Sequence, residues 1–200
     1  DVADAMSQVR ALPYDVREGI LDGIEIAFRD AGHILGSSIV ELWADGRKLV
    51  FSGDLGPEGT PILRDPTPIR DADLVLMEST YGDRNHRDRE GTVHELGDIF
   101  EQAWRDRGNV LIPAFAVGRS QELLYWFARY WDQWRLDRWR IFLDSPMAAR
   151  VVQVYGRHHD LFDEDARKVW EQKPDPFHLP NLHITESTDE SMAINRIENG

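Results

Sequence analysis

Cysteine is absent from all 200 residues. That absence excludes disulfides, thiolate zinc sites and a cysteine nucleophile, so any metal must be held by His, Asp or Glu. No apolar run approaches the ~18 residues of a membrane span. The opening Asp1-Val2-Ala3-Asp4-Ala5-Met6 is acidic and lacks the basic start of a secretory signal. A soluble cytoplasmic protein without membrane contact is the expectation. Positive charge is also scarce, with 23 Lys+Arg against 36 Asp+Glu and a formal net charge of −13. This balance excludes a general cationic coat for nucleic acid or anionic lipid, but not a local site whose charge comes from bound metal. What the chain does contain is 42% hydrophobic residues, including 7 Trp, 8 Phe and 5 Tyr. That is enough for a sizeable core and too aromatic for disorder. Its length suits one large domain or parts of two.

The first half reads as strands and hairpins. Gly23 to Asp30 alternates at period two, placing Ile24, Ile26 and Phe28 on one face. Strands over Ser37–Ala44 and Lys48–Ser52 flank Asp45-Gly46, a strong hairpin signal. Thr60–Pro68 reads as a surface loop and Asp73–Thr80 as a buried strand. The second half changes rhythm. Helices are expected over Thr92–Arg107, Ser120–Trp134, Ala148–His158 and Asp163–Gln172, with another beginning near Asp189. Strands are expected over Asn109–Phe115, Arg140–Asp144 and Leu182–Thr185, with a proline-rich link before the last. Strands alternating with helices imply a parallel sheet covered by helices. The boundary between halves falls near Gly82, with Asp83–Gly91 as a charged linker.

Three short segments could carry chemistry. In Asp30-Ala31-Gly32-His33-Ile34-Leu35-Gly36-Ser37, a His sits between glycines at a strand end; it is either a metal ligand or a hydrogen-bonded turn residue. In Phe51-Ser52-Gly53-Asp54-Leu55-Gly56, an Asp follows an apolar strand between glycines that permit close backbone approach. Its alternative is a turn Asp capping the next loop. The intervening hairpin runs out and back, so His33 and Asp54 can face each other. An imidazole and a carboxylate able to bridge cations suit a zinc or manganese hydrolase, but two ligands hold a metal poorly. No His-x-His or His-x-x-x-His pair completes the set, and His158-His159 reads as surface. In Glu78-Ser79-Thr80-Tyr81-Gly82-Asp83-Arg84, a Glu ending a buried strand must be paired or functional, with helix capping by Ser79-Thr80 the bland alternative.

Taken in order, AGHILGS, FSGDLG, ESTYGDR, IPAFAVGRSQELL and LDSPM resemble the metallo-β-lactamase-fold RNA nucleases of the β-CASP family. The likeness is to the cleavage-and-polyadenylation endonuclease type and its bacterial and archaeal single-chain relatives rather than to RNase J, and it covers essentially the whole chain. It implies an α/β fold: residues 1–82 as part of an αββα metallo-β-lactamase sandwich, and 83–200 as most of a parallel-sheet β-CASP domain with flanking helices. His33 matches a metal ligand of that family and Asp54 the aspartate that bridges two Zn2+ ions. Glu78 matches the acidic residue that pairs with a histidine protonating the leaving group. The resemblance implies metal-dependent hydrolysis of RNA phosphodiester bonds, with RNA as partner and a homodimer as a further option. The family's HxHxDH motif and later histidines are not among these residues, so an internal fragment, inactive by itself, is expected. The alternatives are a metallo-hydrolase of small esters or thioesters, and a non-catalytic RNA-binding scaffold subunit.

In a parallel sheet the strand ends of the second half would lie along one edge, where helix N-termini favour anions. Arg119, Ser120 and Ser145 are the candidates to cradle RNA phosphates there, against the alternative of ordinary helix capping. Trp104, Tyr125, Trp126, Tyr130, Trp131, Trp134 and Trp139 could stack bases, but their helical spacing favours packing.

Overall fold

The structure, a computed structural model, describes residues 1–172 and 176–197. It divides into two compact units: Asp1–Thr60 with Arg64–Thr80, and Pro61–Leu63 with Tyr81–Gly200.

The first unit begins with a short helix, α1 (Val2–Ser7), and is built on one sheet. Strands β1 (Glu18–Leu21), β2 (Ile24–Asp30), β3 (Ser38–Ala44) and β4 (Arg47–Phe51) form an antiparallel meander, and β5 (Leu74–Leu76) adds parallel to β4. The Asp45-Gly46 turn has φ of 51° and 72°, the double positive φ of a two-residue hairpin whose twist matches its strands. The register sends alternate side chains to opposite faces. On one face Ile39 and Val50 join Ala31 in a core flanked by Leu55 and Ile69. On the other, paired positions align Ile26, Leu42, Leu49 and Leu74 in one row and Phe28, Val40, Phe51 and Leu76 in the next. This apolar face is only partly covered, with Phe51, Leu74 and Leu76 exposed.

Two expectations for this half are corrected. The segment Asp73–Thr80 is a ladder only over Leu74–Leu76, and those residues are exposed because β5 is an edge strand paired with β4 alone. Thr60–Pro68 is not wholly a surface loop. Ile62 (2% exposed) and Leu63 are buried in the second unit, where Asp163 N–H donates to the Ile62 carbonyl at 2.8 Å and Leu63 bridges Phe162.

In the second unit, β6 (Ile141–Leu143) and β7 (Leu182–Ile184) pair in parallel. Along the chain, helices α2 (Arg89–Arg105) and α3 (Arg119–Arg129) precede β6, α4 (Pro146–Arg157) and α5 (Glu164–Gln172) lie between the two strands, and α6 (Thr188–Ile194) follows β7. Helix α2 starts earlier than expected because Asp88 caps it, its carboxylate accepting from Gly91 N–H. Helix α3 ends at Arg129, and the chain turns through Arg135, left-handed at φ 51°, into a 3-10 turn, Leu136–Arg138. Part of the proline-rich link, residues 173–175, lies outside the described residues.

Asn109–Phe115 does not form the expected strand. Its apolar run has no ladder partner among the described residues, and Leu111 and Phe115 stand 91% and 85% exposed. Strand propensity needs a neighbouring strand to become a strand.

The aromatic residues pack as their spacing suggests. Phe100 lies 5.6–5.7 Å from Phe127, Trp134 and Trp139, and Tyr130 stacks on Trp134 at 4.8 Å. Gly97 of α2 admits Trp134: a Cβ at this position would lie 2.5 Å from the indole Nε1. Gly97→Ala should therefore destabilise the second unit by about 1–2 kcal/mol, overpacking outweighing the roughly 1 kcal/mol helix gain. A lower thermal midpoint followed by tryptophan near-UV circular dichroism is the check.

Candidate metal centre

His33, Asp54 and Glu78 come from three loops at one end of the first unit's sheet. Strands β2, β4 and β5 all run towards that end and stop at Asp30, Phe51 and Leu76.

The first loop closes on itself. Gly32 is left-handed (φ 63°), and the Asp30 carboxylate accepts its N–H at 3.0 Å. Burial pushes the Asp30 carboxyl up, while the Gly32 N–H and Arg64 oppose that shift. The Ser37 hydroxyl accepts from the N–H of His33 (3.1 Å) and Ile34 (3.3 Å). The Ser37 carbonyl accepts from Ala31 N–H and from the Tyr14 hydroxyl at 2.9 Å. The His33 side chain projects exposed from this ring.

The second loop is pressed onto the first. Gly56 N–H donates to the Ala31 carbonyl at 2.9 Å, and a Cβ on Gly56 would lie 1.7 Å from the Gly32 carbonyl oxygen. Gly53 (φ 55°) leaves a similar gap beside the Ser38 carbonyl. Between these glycines, Asp54 is exposed and Leu55 reaches the core. At Gly56 and Gly53 only glycine permits this approach, whereas Gly36 is required by its positive φ of 89° rather than by a contact.

The third loop clasps the second. Glu78 Oε1 accepts from Leu55 N–H at 2.7 Å and Oε2 from Thr80 N–H at 3.3 Å. Hydrogen bonds from Leu55 N–H first, then from Thr80, hold the Glu78 carboxyl below its ordinary range; His33 is near enough to add a smaller favourable interaction. The carboxylate is thus paired with backbone amides, one of the two options its place at a strand end allowed.

The remaining candidates lie in the second unit. Arg119 opens α3 and pairs with Glu122 at 2.5 Å. The Ser120 hydroxyl is buried and donates to the Phe115 carbonyl at 2.7 Å, so it faces inward. Ser145 caps α4, its hydroxyl accepting from Ala148 N–H at 3.1 Å. Gln121 was not anticipated. Fully buried, it accepts from Gly118 N–H and donates to the carbonyls of Ala116 and Ala148, joining the N-termini of α3 and α4. A glutamine at the third position of a helix is a capping signal legible in sequence; its reach to Ala148 is not. Asp144 accepts from the hydroxyls of Thr185 (2.6 Å) and Ser191 (2.9 Å), tying the ends of β6 and β7 to α6.

Residues 120–200 match the profile of the Beta-Casp domain. The chain is α/β, with a second unit that carries this match and a first unit that brings His33, Asp54 and Glu78 to one sheet end. Ribonuclease TTHA0252 of Thermus thermophilus is 44% identical over 198 residues, 98% of this chain and 45% of the relative. RNase J-like protein of Methanocaldococcus jannaschii is 29% identical over 205 residues, 98% of this chain and 46% of the relative. Endoribonuclease YSH1 of Kluyveromyces lactis is 26% identical over 196 residues, 95% of this chain and 26% of the relative. The match to the Beta-Casp domain lies within the second unit, and the similarity to these three relatives extends over nearly all of the chain. The chain spans less than half the length of these curated relatives.

Proposed function

We propose that the intact protein is a zinc-dependent ribonuclease, in which residues 1–82 belong to the metallo-β-lactamase domain and 83–200 to the β-CASP domain. The observation that carries this reading is the convergence of His33, Asp54 and Glu78 on one sheet end, through loops in backbone contact. The names of the relatives, each a ribonuclease, support the substrate class.

The donor set fits a metal in part. His33 offers an imidazole nitrogen and Asp54 a carboxylate able to bridge, both exposed to an arriving ion. Among the described residues no group of three or more His, Cys, Asp or Glu side chains could hold a metal ion. The remaining ligands would come from further chain, in keeping with the greater length of the relatives. When bound, the ions supply Lewis acidity and a water of lowered pKa for phosphodiester hydrolysis. The chain's own residues do the rest. Asp54 and His33 would hold the ions, and Glu78, its carboxyl held below the ordinary range by backbone amides, would present a carboxylate at the same sheet end. Its Oε2 has capacity left for an imidazole that would protonate the leaving oxygen. Of the proposed phosphate contacts, only Arg119 projects an exposed charge.

In the intact protein, His33→Ala and Asp54→Ala should each lower RNA cleavage more than ~100-fold, beyond the usual loss for an outer-sphere partner. Both should also lower bound zinc, measured by elemental analysis. Full zinc content with undiminished cleavage in either variant would overturn the reading. The 200-residue chain alone should show no tight two-metal site on zinc titration.

A further inference from the structure

We propose that Ser52 is a positioning residue for Asp54, acting with Glu78 as a two-sided staple across the loop that carries it. This rests on the reading of Asp54 as a metal ligand and adds a residue to which that reading gives no part.

Ser52 follows β4 directly and is 5% exposed. Its backbone N–H donates to the Leu76 carbonyl at 2.9 Å, extending the β4–β5 pairing by one step. Its hydroxyl is used twice, donating to the Gly53 carbonyl at 2.6 Å and accepting from Glu78 N–H at 3.0 Å. Glu78 returns the link, its Oε1 accepting from Leu55 N–H at 2.7 Å. The peptide groups on either side of Asp54 are therefore both held, the Gly53 carbonyl by Ser52 and the Leu55 amide by Glu78. The two clasping residues are joined to each other. A left-handed Gly53 has broad conformational freedom, so without the staple the Asp54 carboxylate would sample many directions.

Removing the hydroxyl leaves the Gly53 carbonyl and the Glu78 N–H, both in part-buried hydrogen bonds, without these partners. Ser52→Ala in the intact protein should weaken zinc affinity ~10–100-fold, the range for lost outer-sphere support of a ligand. Ser52→Thr, which keeps the hydroxyl, should restore it. Competition titration against a zinc indicator gives the affinities, independently of RNA cleavage. Wild-type affinity in Ser52→Ala overturns the proposal, and so does equal loss in Ser52→Ala and Ser52→Thr, which would assign the effect to packing. Should those variants fail to fold, Glu78→Gln against Glu78→Ala decides. Both variants lose the carboxylate's charge, but the glutamine keeps an oxygen for Leu55 N–H and should hold zinc more tightly than the alanine. Equal affinities in that pair overturn the staple. Failure of the metal reading itself is distinguishable, because wild-type protein would then bind no zinc.

Discussion

Gly56→Ala should destabilise the first unit by about 3 kcal/mol, at the upper end for inserting a methyl into packed structure. The added Cβ would sit 1.7 Å from the Gly32 carbonyl oxygen, 2.3 Å from its carbon and 2.8 Å from His33 N. All three atoms are backbone, so no side chain can rotate away. The neighbour that would have to move is the left-handed Gly32, itself wedged 2.8 Å, measured to its own notional Cβ, from the Arg64 carbonyl and Pro66. The loops of His33 and Asp54 would have to separate, so a metal held by both should be lost even where the fold survives. A thermal midpoint lowered by roughly 10 °C or more is the expected signature for a unit of this size. Gly19→Ala is the matched control: nothing lies within 4 Å of a Cβ there. A midpoint unchanged in Gly56→Ala would mean that the two loops do not touch as described.

Glu41→Ala should cost about 3–5 kcal/mol, the usual loss when one partner of a buried ion pair is removed. Glu41 lies mid-strand in β3 at 3% exposure, taking Arg29 Nε at 2.6 Å on one oxygen and Lys48 Nζ on the other. Arg29 also reaches Asp15, and Lys48 donates to the Arg70 carbonyl. Burial alone would push the Glu41 carboxyl up, but the hydrogen bonds and charges of Lys48 and Arg29 more than offset it, and the net shift is downward from 4.5. A carboxyl depressed in the folded state adds stability that is present above its unfolded value and lost as pH falls through its folded value. The first unit should therefore lose stability to urea as pH drops below about 4.5. Glu41→Gln should flatten that dependence. An equally steep acid loss in the glutamine variant would assign it to other carboxylates.

Much of this arrangement is legible in sequence where the governing chemistry is local. The Asp45-Gly46 turn and the alternation of β2 to β4 follow from φ preferences and a two-residue period, and both hold in the structure. His33 and Asp54 stand out because each is flanked by glycine, a residue placed where backbones must approach. Asn109–Phe115 misleads for the opposite reason. Its apolar run satisfies strand propensity, but a strand exists only with a partner to share its hydrogen bonds. Thr60–Pro68 misleads similarly, since its prolines mark a loop without revealing that Ile62 and Leu63 are buried.

Glu41 and Ser52 are the clearest cases of what sequence conceals. Nothing in the local sequence between Val40 and Leu42 marks Glu41 as buried. Register alone places it among Arg29 and Lys48 on the covered face. Ser52 reads as the last residue of a strand, and only the meeting of β4 with β5 brings Glu78 N–H to its hydroxyl. By itself the sequence determined the turns, the periodic faces and the glycine-flanked ligand candidates, because each depends on dihedral preferences or on motifs within a few residues. The tertiary structure alone decided which backbones touch, which carboxylate clasps which amide and which charge is buried. Those outcomes depend on through-space approach between residues on different elements, such as Leu55 and Glu78, which no local preference encodes.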